Sequence, residues 1–269
     1  MKKLLFIHWN ILYGDNGYYL SYTQELHIQM LTRYSGIFDD VIVALHSRDI
    51  HDIVTLHTAK IMFDKIFGNR VSFKVVKYSE TNEIDTFERY FIPIVLDNYN
   101  EYITASYIND KGVFERHTNN IRVLVASLYY YNFEYFNELL LESSHLKEPF
   151  ITGGLLAKVP VGNTQYHFIG NFFTVLIKNY RKYYLENGID KNSLYLAYKS
   201  PELHYMQNID ETYILKNTHI GVLECDSMED MMKNNNPHVM MDPIIQRLSN
   251  EKDINNTFSL ARGEKIWFT

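Results

Sequence analysis

Cysteine is almost missing from this chain. A single Cys225 in 269 residues leaves no intrachain disulfide and no CxxC metal clip, and it fits a reducing compartment. Long apolar runs are missing too, since no window approaches the roughly 20 apolar residues that a membrane-spanning helix requires. The opening MKKLLFIHWN sets two lysines before an apolar run from Leu4 to Ile7. That run is too short for the core of a signal peptide and reads as a first buried strand. Positive charge is not in excess: Lys and Arg total 26 against 32 Asp and Glu, a net charge of −6. Proteins that grip nucleic acid nonspecifically need a basic surface to displace counterions, so no nucleic-acid partner is expected, although a local basic pocket for one nucleotide is compatible with this balance. These absences describe a soluble, cytoplasmic chain without a transmembrane segment, at most peripheral to a membrane.

Several motifs are also absent. The stretch HWNILYGDNG carries Gly14 and Gly17 but no GxGxxG after its strand, so a dinucleotide-binding fingerprint is unsupported. No GxxxxGK[ST], GxSxG or HExxH occurs, which removes the usual warrants for P-loop, α/β-hydrolase and zincin readings. His51 and His57 are badly spaced to chelate one ion from a shared helix face.

What is present alternates. KKLLFIHW reads as a strand, 18–34 as a helix with Leu20, Leu26, Met30 and Leu31 at helical spacing, and 39–46 as a strand. A helix over 52–67 is stopped by Gly68-Asn69, and a strand covers 70–78. A third helix over 83–99 is disturbed by Pro93, and a strand covers 101–108. A Tyr-rich helix follows over 119–142, then a short strand, a Gly/Pro-punctuated loop, a helix over 171–186 and a strand at 219–224. Such alternation predicts an α/β fold: a mostly parallel central sheet with helices on both faces. No internal repeat or low-complexity linker is evident. Residues 1–225 are expected to form one domain and 226–269 a C-terminal extension packed on it.

Three constellations carry chemistry, each with a plain structural alternative. Asn109-Asp110-Lys111-Gly112 ends the fourth strand, at the edge where open parallel sheets bind ligands. A carboxylate and an ammonium there suit a cation-bridged diphosphate and Gly112 permits close approach of the backbone, whereas the alternative is a tight turn. His167, Gly170 and Asn171 precede the expected helix over 171–186, an arrangement suited to an anion or sugar hydroxyls or simply to a helix cap. Glu202, after Pro201, suits a general base or a first-turn carboxylate.

In order and spacing, FIHWN, VIVALH, TNEIDTFERY, YITASYINDKGV and YHFIGNFF resemble the GT-A-type glycosyltransferases of bacterial and viral surface-polysaccharide gene sets, across roughly residues 3–210. The family's Asn-Glu-x-x-Thr stretch is matched by Asn82, Glu83 and Thr86. Its His-Thr-Lys-Gly-Val segment is met by Asn109, Asp110, Lys111, Gly112 and Val113, and its His-x-x-Gly-Asn-Phe segment by His167, Gly170, Asn171 and Phe172. Asn-Asp in place of His-Thr is a departure, and so is the poor match around Glu202.

The resemblance implies a GT-A-like fold and glycosyl transfer from a nucleotide sugar, UDP-linked, to a hydroxyl of a glycan acceptor. It implies a nucleobase near His8, Trp9, Asn10 and Glu83, and a diphosphate over Asn109, Asp110, Lys111 and Gly112, with Asp110 on a Mn²⁺ or Mg²⁺ ion. It further implies donor sugar or acceptor at His167, Gly170 and Asn171, with His167 and Glu202 catalytic and Glu202 the base. A noncatalytic nucleotide- or glycan-binding protein on the same scaffold, and a nucleotide hydrolase or reductase, are the competing readings.

Overall fold

The computed structural model describes residues 2–14, 17–78, 85–98, 100–110, 119–135, 152–161, 164–178, 181, 185 and 218–224. Strand β1 (Lys2–Asn10) leads through a hairpin of β2 (Leu12–Gly14) and β3 (Gly17–Tyr19) into helix α1 (Tyr22–Tyr34) and strand β4 (Asp40–Ser47). Helix α2 (Ile53–Phe67) and strand β5 (Val71–Lys77) follow. A π-helical turn (Phe87–Phe91) then runs into α3 (Ile92–Asp97), before strand β6 (Tyr102–Asn109). Helix α4 (Asn119–Tyr129), extended by a π-helical turn (Tyr130–Tyr135), precedes β7 (Thr152–Val161), β8 (Thr164–Leu176) and β9 (Thr218–Glu224).

Seven strands form one sheet in the order β5-β4-β1-β6-β8-β7-β9. Among them β8 alone opposes the common direction, pairing antiparallel with β6 and β7, while β9 pairs parallel with β7. The mostly parallel α/β sheet expected from the alternation is therefore present. From β1 the chain steps outward to β4 and β5, then returns to lay β6 on the other side of β1. This reversal makes the β1/β6 boundary the topological switch point of the sheet.

Alternation along the strands builds two cores. Leu5, Ile7 and Trp9 of β1 face a layer that includes Leu26 and Met30 of α1, Phe63 of α2 and Val125 of α4. Leu4 and Phe6 face the opposite way, with Phe91, Ile92 and Val95 of the third helical segment. Right-handed crossovers account for that segment's change of face, because the chain there travels back across the sheet. Across β1, β6 and β8, the rings of Phe6, Tyr107 and Phe173 stack in register, with centroids 5.6 and 5.4 Å apart. Phe91 meets all three rings edge-on.

Local chemistry explains the element ends. Ser21 caps α1 in a capping box with Gln24, so the helix starts at Tyr22 and Tyr18–Tyr19 belong to the hairpin, not to the helix expected from residue 18. Pro93 lies in the first turn of α3 and cannot donate a backbone bond to the turn before it. The wider π-turn sits directly upstream of it, where that missing bond would fall.

Gly68 ends α2 at φ +62°, ψ −139°, a region effectively restricted to glycine. A Cβ there would meet nothing within 4 Å, so backbone strain alone should set the effect of a side chain. Gly68→Ala is expected to lose about 1–3 kcal/mol in urea unfolding; an unchanged midpoint would contradict this backbone reading.

The largest correction concerns residues 171–176. The expected helix over 171–186 is, in its first part, the end of β8, where Phe173 pairs with Tyr107 and Leu176 with Thr104. Thr, Val and Phe favour a pleated surface, and pairing with β6 completes it. Asn171 is consequently neither a helix cap nor part of a helix N-terminus. The C-terminal extension 226–269 and the part of the Tyr-rich helix beyond residue 135 lie outside the described residues.

Candidate functional site

Each of the three central parallel strands changes character at its carboxyl end. In β1, Leu4 to Ile7 are fully buried and apolar, and His8 and Asn10 follow. In β4, Val43, Ala44 and Leu45 give way to His46 and Ser47, and in β6 Ile108 gives way to Asn109, with Asp110 next. The result is a buried polar layer along one edge of the sheet, separate from the hydrogen-bonded Ser106–Thr174 pair between β6 and β8. Burying polar groups is costly unless they are hydrogen-bonded, so the bonds within this layer are informative.

Asp110 is its centre. The side chain is only 2% exposed and accepts from the Asn10 backbone N–H at 3.0 Å, from Asn10 Nδ2 at 2.7 Å and from Gln24 Nε2 at 2.7 Å. Gln24 Nε2 also donates to the Asn10 carbonyl at 2.8 Å. One carboxylate thereby ties the ends of β1 and β6 to the N-terminus of α1, across the switch point. Burial pushes the Asp110 carboxyl up to about 6, against the pull of the N–H groups of Asn10 and Gln24. It is ionised at neutral pH.

On the other face lies a histidine pair. The rings of His8 and His46 stack with centroids 3.9 Å apart, and His46 Nε2 shares a hydrogen bond of 2.7 Å with Thr86 Oγ1. His8 is 1% exposed and its Nδ1 makes no hydrogen bond. Burial, reinforced by His46, holds His8 well below the usual histidine range despite a hydrogen bond with Asn10. This ring is neutral at physiological pH.

The sequence-derived residues fare unevenly. His8, Asn10, Asn109 and Asp110 come together at one sheet edge, and Asn10 alone of these four is more than marginally exposed. Trp9 does not join them. It is 1% exposed on the α1 face of the sheet, edge-on to Phe63 at 5.2 Å, with its indole N–H donating to Tyr18 Oη. Strand alternation turns Trp9 to the α1 face and His8 to the other, and Trp9 packs within the apolar core on its side. In β8, the Tyr107–Phe173 pair carries the antiparallel backbone through Asn171 and Gly170 towards the carboxyl end of β6. His167 lies further along, opposite Ala157 of β7. Glu83, Lys111, Gly112 and Glu202 lie outside the described residues.

Sequence reasoning gave no role to Gln24 or His46, and named Thr86 only as a match to the family's Asn-Glu-x-x-Thr stretch. The Ser21-x-x-Gln24 spacing is that of a capping box, but nothing local connects Gln24 to a carboxylate 86 residues away.

A divalent cation on Asp110 fits these residues poorly. Such ions take oxygen lone pairs, whereas both Asp110 oxygens already face N–H donors. No cluster of three His, Cys, Asp or Glu side chains suited to a metal occurs among the described residues, and none of their helices is long and apolar enough to cross a membrane.

No family model and no curated protein matches the chain. Among solved structures it is similar to the 4-diphosphocytidyl-2C-methyl-D-erythritol synthase of Anaerococcus prevotii DSM 20548, at 9% identity and a TM-score of 0.35, over 97% of this chain and 99% of that one. It is also similar to Rv0371c of Mycobacterium tuberculosis H37Rv, at 6% identity and a TM-score of 0.31, over 92% of this chain and 96% of that one. Likenesses at these scores carry no argument, and the functional reading rests on the strand ends themselves.

Proposed function

We propose that the chain binds a UDP-linked sugar at the carboxyl edge between β1 and β6 and transfers its glycosyl unit to a hydroxyl of a glycan or glycoconjugate. The observation that carries this reading is the polar layer: β1, β4 and β6 each turn from apolar to polar at the edge where open parallel sheets bind ligands. A sheet serving only as a scaffold gains nothing from burying His8, His46, Asn109 and Asp110 together.

Asn10, at the exposed rim of this layer, is the donor and acceptor best placed to meet a ligand. Lys111, the residue after the Asp110 tie, is assigned to the diphosphate. His167 and Asn171 are assigned to the donor sugar or the acceptor. In an inverting transfer, the acceptor oxygen forms a bond to the anomeric carbon as the bond to the diphosphate breaks, and Glu202 takes the proton. Positioning and charge stabilisation at the leaving diphosphate would supply most of the acceleration.

Thermal unfolding with a panel of nucleotides and nucleotide sugars, with and without Mn²⁺, tests this. A ligand at 100 times its Kd adds roughly 2.7 kcal/mol, which for a chain of this size raises Tm by about 5–10 °C. The reading expects a UDP-linked sugar to produce that shift and an acceptor glycan to release UDP. If no nucleotide moves the transition, the donor site is refuted.

A second reading, a noncatalytic nucleotide-binding protein, is favoured by one observation: Asp110, the residue matched to a metal-binding role, is spent on internal donors. Nucleotide binding without UDP release towards any acceptor would select it.

A further inference from the structure

We propose that the side-chain amide of Gln24 occupies the position a divalent cation would take beside Asp110, so that this carboxylate serves the fold's own N–H donors and is not a metal ligand. Gln24 Nε2 lies 2.8 Å from the Asn10 carbonyl oxygen and 2.7 Å from Asp110 Oδ2. A side-chain amide nitrogen carries two hydrogens, and here each has an oxygen. A carbonyl and a carboxylate oxygen converging on one point are the ligands that a hard cation selects. That point is filled by a positively polarised NH₂ group instead.

Two further features hold the amide in place. Gln24 Oε1 accepts the Ser21 N–H at 3.2 Å, and Ser21 Oγ accepts the Gln24 N–H at 3.2 Å. The amide therefore cannot swing aside without opening the cap of α1. The side chains of Gln24 and Asp110 are also 0% and 2% exposed, and Asp110 Oδ1 is taken by Asn10 Nδ2. A cation needs six or more oxygens and usually keeps several waters, and with the Gln24 amide in place this buried point offers neither. The inference concerns the bare metal and stands whether or not the chain binds a nucleotide.

The test is titration of Mn²⁺ alone into the full chain, with the free ion followed by electron paramagnetic resonance. Native protein and Asp110→Asn are expected to agree within about twofold in Mn²⁺ affinity, or to show no binding alike, where loss of even a group that only orients a metal ligand costs on the order of 10–100-fold. Gln24→Ala is expected to gain a Mn²⁺ site that Gln24→Ala/Asp110→Asn loses. Tenfold weaker binding by Asp110→Asn than by native protein overturns the proposal, and so does a Gln24→Ala chain that gains nothing. Should a variant not fold, Mg²⁺ titration of the native chain decides by NMR. Unmoved Gln24 side-chain amide and Asp110 carboxyl-carbon resonances support the proposal, and saturable shifts of both overturn it.

Discussion

Asp110→Ala should lower stability by about 3 kcal/mol at pH 7, through opposing terms of unequal size. The substitution abandons the Asn10 backbone N–H, Asn10 Nδ2 and Gln24 Nε2, which are bound at 2.7–3.0 Å in a buried place. Each orphaned buried donor costs roughly 1–3 kcal/mol, or about 6 kcal/mol together. Against this, the variant no longer buries a charge. The Asp110 carboxyl sits at about 6 instead of 3.8, and that difference is worth about 3 kcal/mol. Chemical unfolding measures the net loss. A variant as stable as the native chain would mean that the three bonds do not join β1, β6 and α1.

The second expected result is that this loss depends on pH in an unusual direction. A native carboxyl raised above its unfolded value makes the folded chain hold more protons than the unfolded one between about pH 4 and 6. Stability from Asp110 is therefore fully present below pH 4 and falls as pH rises through 6. The gap between native and Asp110→Ala proteins should be roughly 6 kcal/mol near pH 4 and narrow by about 3 kcal/mol above pH 6. His8 works in the opposite sense: lowered below the ordinary histidine value, it stabilises above about pH 6.5 and loses that contribution as pH falls. Comparing native and variant at each pH cancels His8 and isolates Asp110. A gap that widens with rising pH would reverse the assigned direction and leave the tie to its N–H donors as the dominant influence.

The sequence carried the sheet well where strands were short, apolar and bounded. The runs at 39–46, 70–78 and 219–224 became β4, β5 and β9 with ends displaced by a residue or so. Gly68 stopped α2 for the anticipated reason, because only glycine takes its backbone angles easily. Residues 171–176 misled because a continuous apolar run has the same appearance in a buried strand as in a buried helix. Pairing with β6, almost 70 residues away (Ser106 with Thr174), decided between them.

The site was legible only in part. A carboxylate at the end of β6 was visible in Asn109-Asp110, and so was the edge of the sheet it would occupy. Its partners were not: Asn10 and Gln24 reach it from 100 and 86 residues away. Those same contacts make Asp110 an acceptor of three internal hydrogen bonds, which no local pattern in the sequence announces. Trp9 was legible as part of the first strand, but the face it takes follows from alternation within the folded sheet, which buries it in the core beside α1 and α2.

Chemical-shift mapping with a UDP-linked sugar tests the central claim, that ligand binds at the carboxyl edge between β1 and β6, most directly. The account predicts saturable shifts in the Asn10 and Gln24 side-chain amides and in the backbone amides of Asn109 and Asp110, with the amino ends of β1 and β6 unmoved. Saturable shifts confined to residues remote from that edge, or no shifts at all, would contradict it.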